Sequence, residues 1–320
     1  MARENKIYLV THAQLSPGYQ TAQTAHVIAE WAIKNPEKAQ QWDVTSGSLI
    51  VLEAPNAEAL SDLTEQAQEL KIPFTIFREP DIGDEITAVL FEPGTETVRL
   101  FANLPCAGKH VHNQKQLRDT ENRKRAQINK MVATEQTKGQ NILQHGRSVR
   151  EHYFALVDNL KGNIDLSQYD NWKLPEYLNT YSKQILEHLP SNYVMDRYLT
   201  LHDCGKPQVL EYDDEGRKHF PGHAEASEKV YREVFSNNTE TDERIAQMIR
   251  DDMEVHLLKA VDVPEFIKNP NAIGHLIAGL AELTSNASMF GGIESTGFKM
   301  KYKHHVQRAN AICKQLFDEN

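Results

Sequence analysis

A histidine next to an aspartate, His202-Asp203, is the pair of side chains in this sequence best suited to bind a metal ion. An imidazole nitrogen and a carboxylate oxygen from neighbouring residues can both ligate one divalent cation. Gly205 lets the backbone turn away directly afterwards, and Lys206 puts a positive charge where a phosphate group could sit. Because a His-Asp dipeptide is common by chance, the prediction of a metal site depends on whether further potential ligands occur elsewhere in the sequence.

Further histidines lie on both sides of this doublet. His145 opens a long helical stretch upstream, and His219-x-x-x-His223 and Asp252-x-x-x-His256 follow downstream. This order, in which one histidine precedes the doublet and more histidines follow on later helices, resembles that of the HD superfamily of metal-dependent phosphohydrolases.

The resemblance covers residues 141–290 and implies a set of metal ligands. In chain order the implied ligands are His145, His202, Asp203, His223, His256 and Asn286. The first three match the first metal site of the family, and His223 and His256 fall where two-metal members have extra ligands.

Asn286 departs from the family pattern, which has an aspartate from a late helix at this place. An amide oxygen can ligate a hard cation but supplies no charge, so the site would be weaker or hold a different metal. Asp251 and Asp252 are alternative ligands. The identity of the metal stays open among Mg²⁺, Mn²⁺, Ni²⁺, Co²⁺, Fe²⁺ and Zn²⁺.

The resemblance implies hydrolysis of a phosphate ester, in which the ion lowers the pKa of bound water and neutralises phosphoryl charge. Asp203 would hold the ion, and Lys206 would stabilise the phosphoryl group. His219 would act as a ligand or in proton transfer.

Two later segments offer contacts for a substrate. Gly291, Gly292 and Ser295 supply backbone amides and a hydroxyl suited to phosphate, although such a loop is equally often an ordinary connection. The basic run that includes Lys299 and Lys301 either follows a nucleic-acid backbone or forms a solvated helix face.

The first hundred residues alternate short β-branched runs with helix-like stretches, which is typical of a layered α/β domain. The predicted elements are strands at 6–10, 47–54, 73–77 and 86–91 and helices at 16–33 and 57–70. We therefore expect a small mixed four-stranded sheet with flanking helices.

The start of the first predicted helix carries a second motif, in which Gly18 is followed by Ala22, Gln23 and His26. Directly after a strand, this spacing resembles the archaeal and eukaryotic type of peptidyl-tRNA hydrolase, and the likeness extends over residues 5–105.

Two positions differ from that family, because Tyr19 stands where it has a lysine and His12 where it has an aspartate. Loss of both groups predicts that the domain does not cleave peptidyl-tRNA but keeps the fold and an RNA-binding surface. Gln23, His26 and Thr87 are the remaining polar candidates, unless they only pack the helix and end the strand.

Hydrophobicity falls after residue 107, and residues 109–130 hold seven Lys or Arg against two acids. This composition predicts a basic linker or exposed helical arm at 108–140, between an α/β domain at 1–107 and an all-α HD domain at 141–320. Prolines break the last part into successive helix-like segments.

A net charge of -10 argues against nucleic-acid binding by global charge, although local basic clusters can still contact phosphates. No apolar run approaches the roughly 20 residues that cross a bilayer, and the start lacks a signal peptide. We expect a cytoplasmic protein with no membrane partner.

These features predict a phosphohydrolase acting on phosphate at RNA ends, with tRNA as the expected RNA, in end healing or processing. The reaction would open a 2',3'-cyclic phosphate or remove a 2'- or 3'-phosphate, by analogy with HD domains attached to tRNA-processing enzymes. One alternative is an HD hydrolase of free or cyclic nucleotides. Another is a non-catalytic RNA-binding protein, because Asn286 weakens the ligand set.

Overall fold

The computed structural model describes residues 6–92, 95–108 and 113–318, except the side chains of residues 95 and 96. Part of the predicted linker, residues 109–112, lies outside the described residues, as do the first five residues of the chain. The chain divides into two compact units, Met1–Asn129 and Lys130–Asn320.

The first unit contains a four-stranded mixed sheet with the strand order β2-β1-β4-β3. Its elements are β1 (Ile7–His12), α1 (Pro17–Lys34), α2 (Pro36–Thr45), β2 (Leu49–Ala54), α3 (Ala57–Glu69), β3 (Phe74–Glu79), β4 (Glu85–Phe91), α4 (Thr95–Leu100) and most of α5 (Gln114–Ala133). Strand β1 runs parallel to β2 and antiparallel to β4, which also pairs antiparallel with β3. The predicted small mixed sheet with flanking helices is confirmed.

Helix α1 covers one face of this sheet. It begins at Pro17, whose fixed φ and missing N–H suit the first helical turn. Val27 and Trp31 then pack against Ile7 and Leu90 of the sheet. The apolar stripe of α1 therefore places the start of the helix beside the end of β1, where the peptidyl-tRNA-hydrolase-like motif lies.

Helices α2 and α4 of this unit were not predicted, and α5 is less exposed than predicted. Helix α2 has no buried residue and so lacks the apolar stripe that marks a helix in the sequence. Helix α5 occupies the predicted basic arm, but Glu121 and Lys124 on it are buried, so the arm is not simply exposed. Most of α5 is exposed, as its low hydrophobicity predicts, while these two buried charged groups form hydrogen bonds and an ion pair with the rest of the unit.

The second unit is largely helical, as predicted. Its elements are β5 (Glu135–Thr137), β6 (Gln140–Asn141), α6 (Ile142–Leu160), α7 (Glu176–Thr180), α8 (Ser182–His188), α9 (Asn192–Leu201), β7 (Glu211–Tyr212), β8 (Lys218–His219), α10 (His223–Val230), α11 (Glu240–Arg250), α12 (Glu254–Leu257), α13 (Val263–Phe266), α14 (Ala272–Ser285) and α15 (Thr296–Cys313). The two short hairpins, β5-β6 and β7-β8, were not predicted, because strands of two or three residues are too short to show an alternating pattern.

Helix α14 lies at the centre of this unit and is buried along most of its length. It packs against α6 and α15, while α6 packs against α9. Across the described residues, no helix is both long and apolar enough to span a bilayer.

Candidate functional site

Three predicted ligands meet between α6 and the end of α9. His145 Nε2 lies 3.6 Å from Asp203 Oδ2, and His202 Nε2 lies 3.3 Å from the same oxygen. One ligand atom from each of the three residues lies within 4.8 Å of the other two. Bonds of about 2.1 Å to a shared ion place ligand atoms roughly 3–4 Å apart, so this spacing fits one metal ion.

Local sequence fixes the approach of the helices that carry these groups. Asn141 and Gln144 form a capping box that starts α6 and places His145 in its first turn. At Gly146 an added Cβ would lie 2.4 Å from the carbonyl oxygen of Thr200, so only glycine allows α6 this close to α9.

Gly205 is needed for close packing and not for the backbone turn that was predicted. Its φ is -89°, which any residue adopts, so it is not needed to turn the backbone. An added Cβ would instead lie 2.3 Å from the backbone of Ala226 and Ser227 in the middle of α10. The glycine allows α10 to approach the His202-Asp203 pair closely.

The nitrogens of both histidines support the metal reading. His202 Nδ1 donates to the Leu199 carbonyl at 2.8 Å, which orients the ring so that Nε2 faces Asp203. His202 Nε2 and both nitrogens of His145 are buried and form no hydrogen bond among the described residues. Such groups are costly unless a further partner binds them, and a cation is one that both can share.

The charges around the cluster set the protonation of these groups. Burial lowers the pKa of His145 to about 4, so its imidazole is neutral and can donate a lone pair. Burial opposes the charge on His202, but the Asp203 carboxylate outweighs it and raises the pKa of His202 to about 10. Burial also opposes the Asp203 charge, yet the Lys206 ammonium holds the pKa of that carboxyl well below its usual range.

Glu282 on α14 also belongs to this cluster, although it was not predicted from the sequence. Its Oε1 lies 3.8 Å from His145 Nε2, and its Oε2 lies 2.9 Å from His256 Nε2. It is the single charged residue of α14, which is otherwise almost wholly apolar, and that isolation is the signal that could have found it. Two carboxylates and two imidazoles form a donor set that suits a transition metal or Zn²⁺.

The structure brings the other predicted ligands to the cluster to different extents. His223 Nε2 lies 3.9 Å from Asp203 Oδ1, and His256 reaches the cluster through Glu282. Asn286 lies one turn beyond Glu282 as the C-cap of α14 and lines a neighbouring cleft. Its role as a ligand stays a prediction, and Glu282 supplies the charge that an amide lacks.

The two alternative aspartates have other partners. Tyr198 Oη donates to Asp252 at 2.5 Å, and the side-chain amide of Gln247 donates to Asp251. Asp252 is buried and lines a small cavity that His202 and Glu282 also line.

His219 and Lys206 differ in their distance from the centre. His219 is exposed on β8, and its Nε2 lies 3.0 Å from Asp213 Oδ2 of the same hairpin. Lys206 is buried, donates to Asp203 Oδ2 at 2.7 Å and lies over the Phe220 ring. Lys206 thus contacts the metal-ligand candidate directly, whereas the contacts of His219 are within its hairpin.

A cleft of about 440 Å³ opens beside the cluster, between α14 and α15. His256 and Glu282 line its inner end, and Lys301 lines it together with Arg308. Of the other substrate candidates, Ser295 caps α15 by accepting from the Phe298 N–H.

The remaining candidates of this segment lie elsewhere. Lys299 pairs with Glu294 at 2.7 Å and is not among the residues of the cleft. Gly291 and Gly292 have φ of 89° and 92°, so their use in the connection to α15 is conformational. The basic run is therefore divided between the cleft and the solvent.

In the first unit, two of the three polar candidates bond to each other. Thr87 Oγ1 donates to Gln23 Oε1 at 3.1 Å, and both side chains are buried. Gln23 Nε2 also donates to Glu79 at 2.6 Å. His26 is exposed and stacks on Phe77 with ring centroids 4.8 Å apart.

Helix α5 supplies charged groups beside the two altered positions of this unit. Lys124 Nζ lies 2.7 Å from Glu85 Oε2, while Glu85 Oε1 lies 3.5 Å from His12 Nε2. The Arg125 guanidinium donates to the Tyr19 hydroxyl. These contacts bury an ammonium and a carboxylate next to the positions where the peptidyl-tRNA hydrolase pattern has its lysine and aspartate.

Residues 6–101 match the family model of peptidyl-tRNA hydrolase PTH2. A search of curated proteins finds no match to the chain. The matched segment coincides with the four-stranded sheet and its flanking helices, so the first unit contains a PTH2-like domain. In this PTH2-like domain, Tyr19 and His12 keep their departures from the family pattern, and α5 follows the matched segment.

Proposed function

We propose that this chain is a metal-dependent phosphohydrolase of the HD type that acts on phosphate at RNA ends, with tRNA as the RNA. The substrate would carry a 2',3'-cyclic phosphate, a 2'-phosphate or a 3'-phosphate. The observation that carries this proposal is the convergence of His145, His202 and Asp203, with buried imidazole nitrogens that form no hydrogen bond.

The residues of the cluster have separate tasks in this reaction. His145 offers a neutral nitrogen donor, and His202 would ligate a cation through Nε2 after giving up its proton. Asp203 and Glu282 offer two negative charges to the cation. A divalent ion held by these residues would make water a better nucleophile and would neutralise charge on the phosphoryl oxygens. In the hydrolysis, a water oxygen bonds to phosphorus, the ester P–O bond breaks, and the leaving oxygen takes a proton.

Lys206 acts on Asp203 in this account. Its ammonium lies 2.7 Å from Asp203 Oδ2 and fixes the carboxylate beside both imidazoles. Lys206 is itself buried. We therefore propose that Lys206 positions Asp203, whereas the sequence predicted that it contacts the phosphoryl group directly.

Two features support RNA as the substrate. The PTH2-like domain is related to enzymes that take tRNA as substrate, and it occupies residues 6–101. The cleft beside Glu282 is lined by Lys301 and Arg308, although the chain as a whole carries a net charge of -10. Local positive charge of this kind binds phosphates in an acidic protein.

Hydrolysis assays with the full chain test the proposal. The substrates are RNAs ending in a 2',3'-cyclic, 2'- or 3'-phosphate, free nucleoside monophosphates and cyclic nucleotides, each with Mg²⁺, Mn²⁺, Ni²⁺, Co²⁺, Fe²⁺ or Zn²⁺. We expect turnover of at least one RNA end, and its loss in His202→Ala and Asp203→Asn. His188→Ala is the matched control, because His188 is exposed on α8 and bonds only within that helix.

Other outcomes would replace the proposal. Turnover of free nucleotides without turnover of RNA would leave an HD hydrolase of free or cyclic nucleotides. No turnover with any ion, together with RNA binding, would leave a non-catalytic RNA-binding protein. Affinity for RNA that falls steeply between low and moderate salt would indicate several phosphate contacts, whereas a mononucleotide would show little dependence.

A further inference from the structure

The cleft beside the metal-centre candidate has one acidic end and one basic wall. Among the described residues that line it, Glu282 is the only acid, and it lies at the end nearest His145. Lys301, His304 and Arg308 line the cleft from α15. Spacings of three and four residues place these side chains on one face of the helix.

The charges of this wall are available to a ligand. Among the described residues, neither Lys301 nor Arg308 forms an ion pair with a carboxylate. Lys301 Nζ lies 5.1 Å from the centre of the Phe290 ring, and Arg308 uses one N–H to donate to the Leu258 carbonyl. Lys299 on the same helix differs, since Glu294 neutralises it outside the cleft.

Apolar side chains complete the cleft. Phe290, Leu257 and Leu283 line it, and the side chain of Leu257 is 69% exposed. Such surfaces stack or pack against a nucleobase. A volume of about 440 Å³ lies in the range of small-molecule sites and fits a single nucleotide unit.

We propose that this cleft binds the terminal nucleotide of the substrate, with Lys301 and Arg308 holding a second phosphate group while the reacting phosphate lies at the His145, His202, Asp203 and Glu282 cluster. The inference rests on the proposed function and deepens it. The substrate class is a nucleotide with two phosphates, such as the last nucleotide of an RNA with its 5' linkage and its terminal phosphate. A nucleoside with one phosphate would lose the contacts of α15.

Direct binding tests the inference separately from catalysis. The probes are adenosine 3',5'-bisphosphate, adenosine 3'-monophosphate and adenosine, titrated calorimetrically into the full chain. We expect the bisphosphate to bind at least about tenfold more tightly than the monophosphate, since charge-assisted hydrogen bonds to the second phosphate are added. The Lys301→Ala/Arg308→Gln double variant should remove this preference.

Lys303→Ala is the matched control, because Lys303 is exposed on the same helix and is not among the residues of the cleft. It should bind the bisphosphate as the unaltered protein does. Equal affinity for the bisphosphate and the monophosphate would overturn the inference. An equal loss of bisphosphate affinity in the control and in the double variant would also overturn it. Bisphosphate binding that depends on Lys301 and Arg308 without turnover of any ester would retain the cleft and refute the proposed function alone.

Discussion

Glu282 Oε1 lies 3.8 Å from His145 Nε2, which brings a carboxylate from the centre of α14 to the first turn of α6. The second oxygen of the same carboxylate contacts His256 at 2.9 Å. Glu282 thus joins the buried His145, His202 and Asp203 cluster to the cleft, where its own side chain is 24% exposed. A ligand in the cleft would meet the cluster at this residue.

Gly205→Ala should destabilise the second unit, because its new Cβ would lie 2.3 Å from backbone atoms of Ala226 and Ser227. Overpacking of this kind costs about 1–3 kcal/mol. Urea unfolding measures the loss. Gly297→Ala is the matched control, since its nearest neighbour would be at an ordinary 3.7 Å. Equal stability of the two variants would show that Gly205 is not needed for close packing.

Lys124→Met should strongly destabilise the first unit. Lys124 Nζ and Glu85 Oε2 form a buried pair at 2.7 Å, and removing one partner leaves an uncompensated charge. Breaking such a pair costs about 3–5 kcal/mol in the free energy of unfolding. The double variant Lys124→Met/Glu85→Gln should regain much of the loss.

The control for this variant is Lys34→Met, because Lys34 forms an exposed pair with Glu30 on α1. Surface pairs contribute about 0.5 kcal/mol, so the control should unfold almost as the unaltered protein does. Similar small losses for Lys34→Met and Lys124→Met in urea unfolding would contradict the buried packing of α5.

Acidification should destabilise the second unit through two buried histidines. Burial lowers the pKa of His305 to about 3 and that of His275 to about 4, below their ordinary value of 6.5. Below pH 6.5 the unfolded chain takes up these protons and the folded chain does not. The free energy of unfolding should fall by about 1.4 kcal/mol per pH unit for each histidine.

His305→Gln tests this slope. Glutamine keeps a polar group for the Tyr177 hydroxyl, which lies 3.1 Å from His305 Nε2, but it does not titrate. The loss of stability between pH 6 and pH 4.5 should be shallower by about 1 kcal/mol per unit than in the unaltered protein. Unfolding curves at several pH values measure it, and identical slopes would mean that His305 does not contribute.

Much of the fold was readable from the sequence. The four strands and the helices α1 and α3 follow clear apolar periodicity, and each was predicted to within a few residues. The second unit was predicted as helical because long periodic segments end at prolines. Helix α2 escaped prediction because it buries no residue, so no apolar pattern marks it.

The candidate site was predictable in part, for a physical reason. His145, His202 and Asp203 share a motif, so their convergence could be expected from the resemblance. The place of Glu282 in the cluster, and the pairing of Lys124 on α5 with Glu85 on β4, depend on contacts between distant segments. Residue spacing in the sequence does not encode such contacts. The low hydrophobicity of α5 indicated solvent exposure, although its buried charges have partners.

Calorimetric titration of the metal-free protein with the six candidate ions tests the central claim most directly. We predict that at least one ion binds at the cluster of His145, His202 and Asp203, and that His202→Ala and Asp203→Asn abolish this binding. Glu282→Gln should weaken metal binding about tenfold or more, because it removes a charged group beside the ion. Asn286→Ala should leave metal binding unchanged. If none of the six ions binds, or if His202→Ala binds the ion as the unaltered protein does, the metal centre is contradicted.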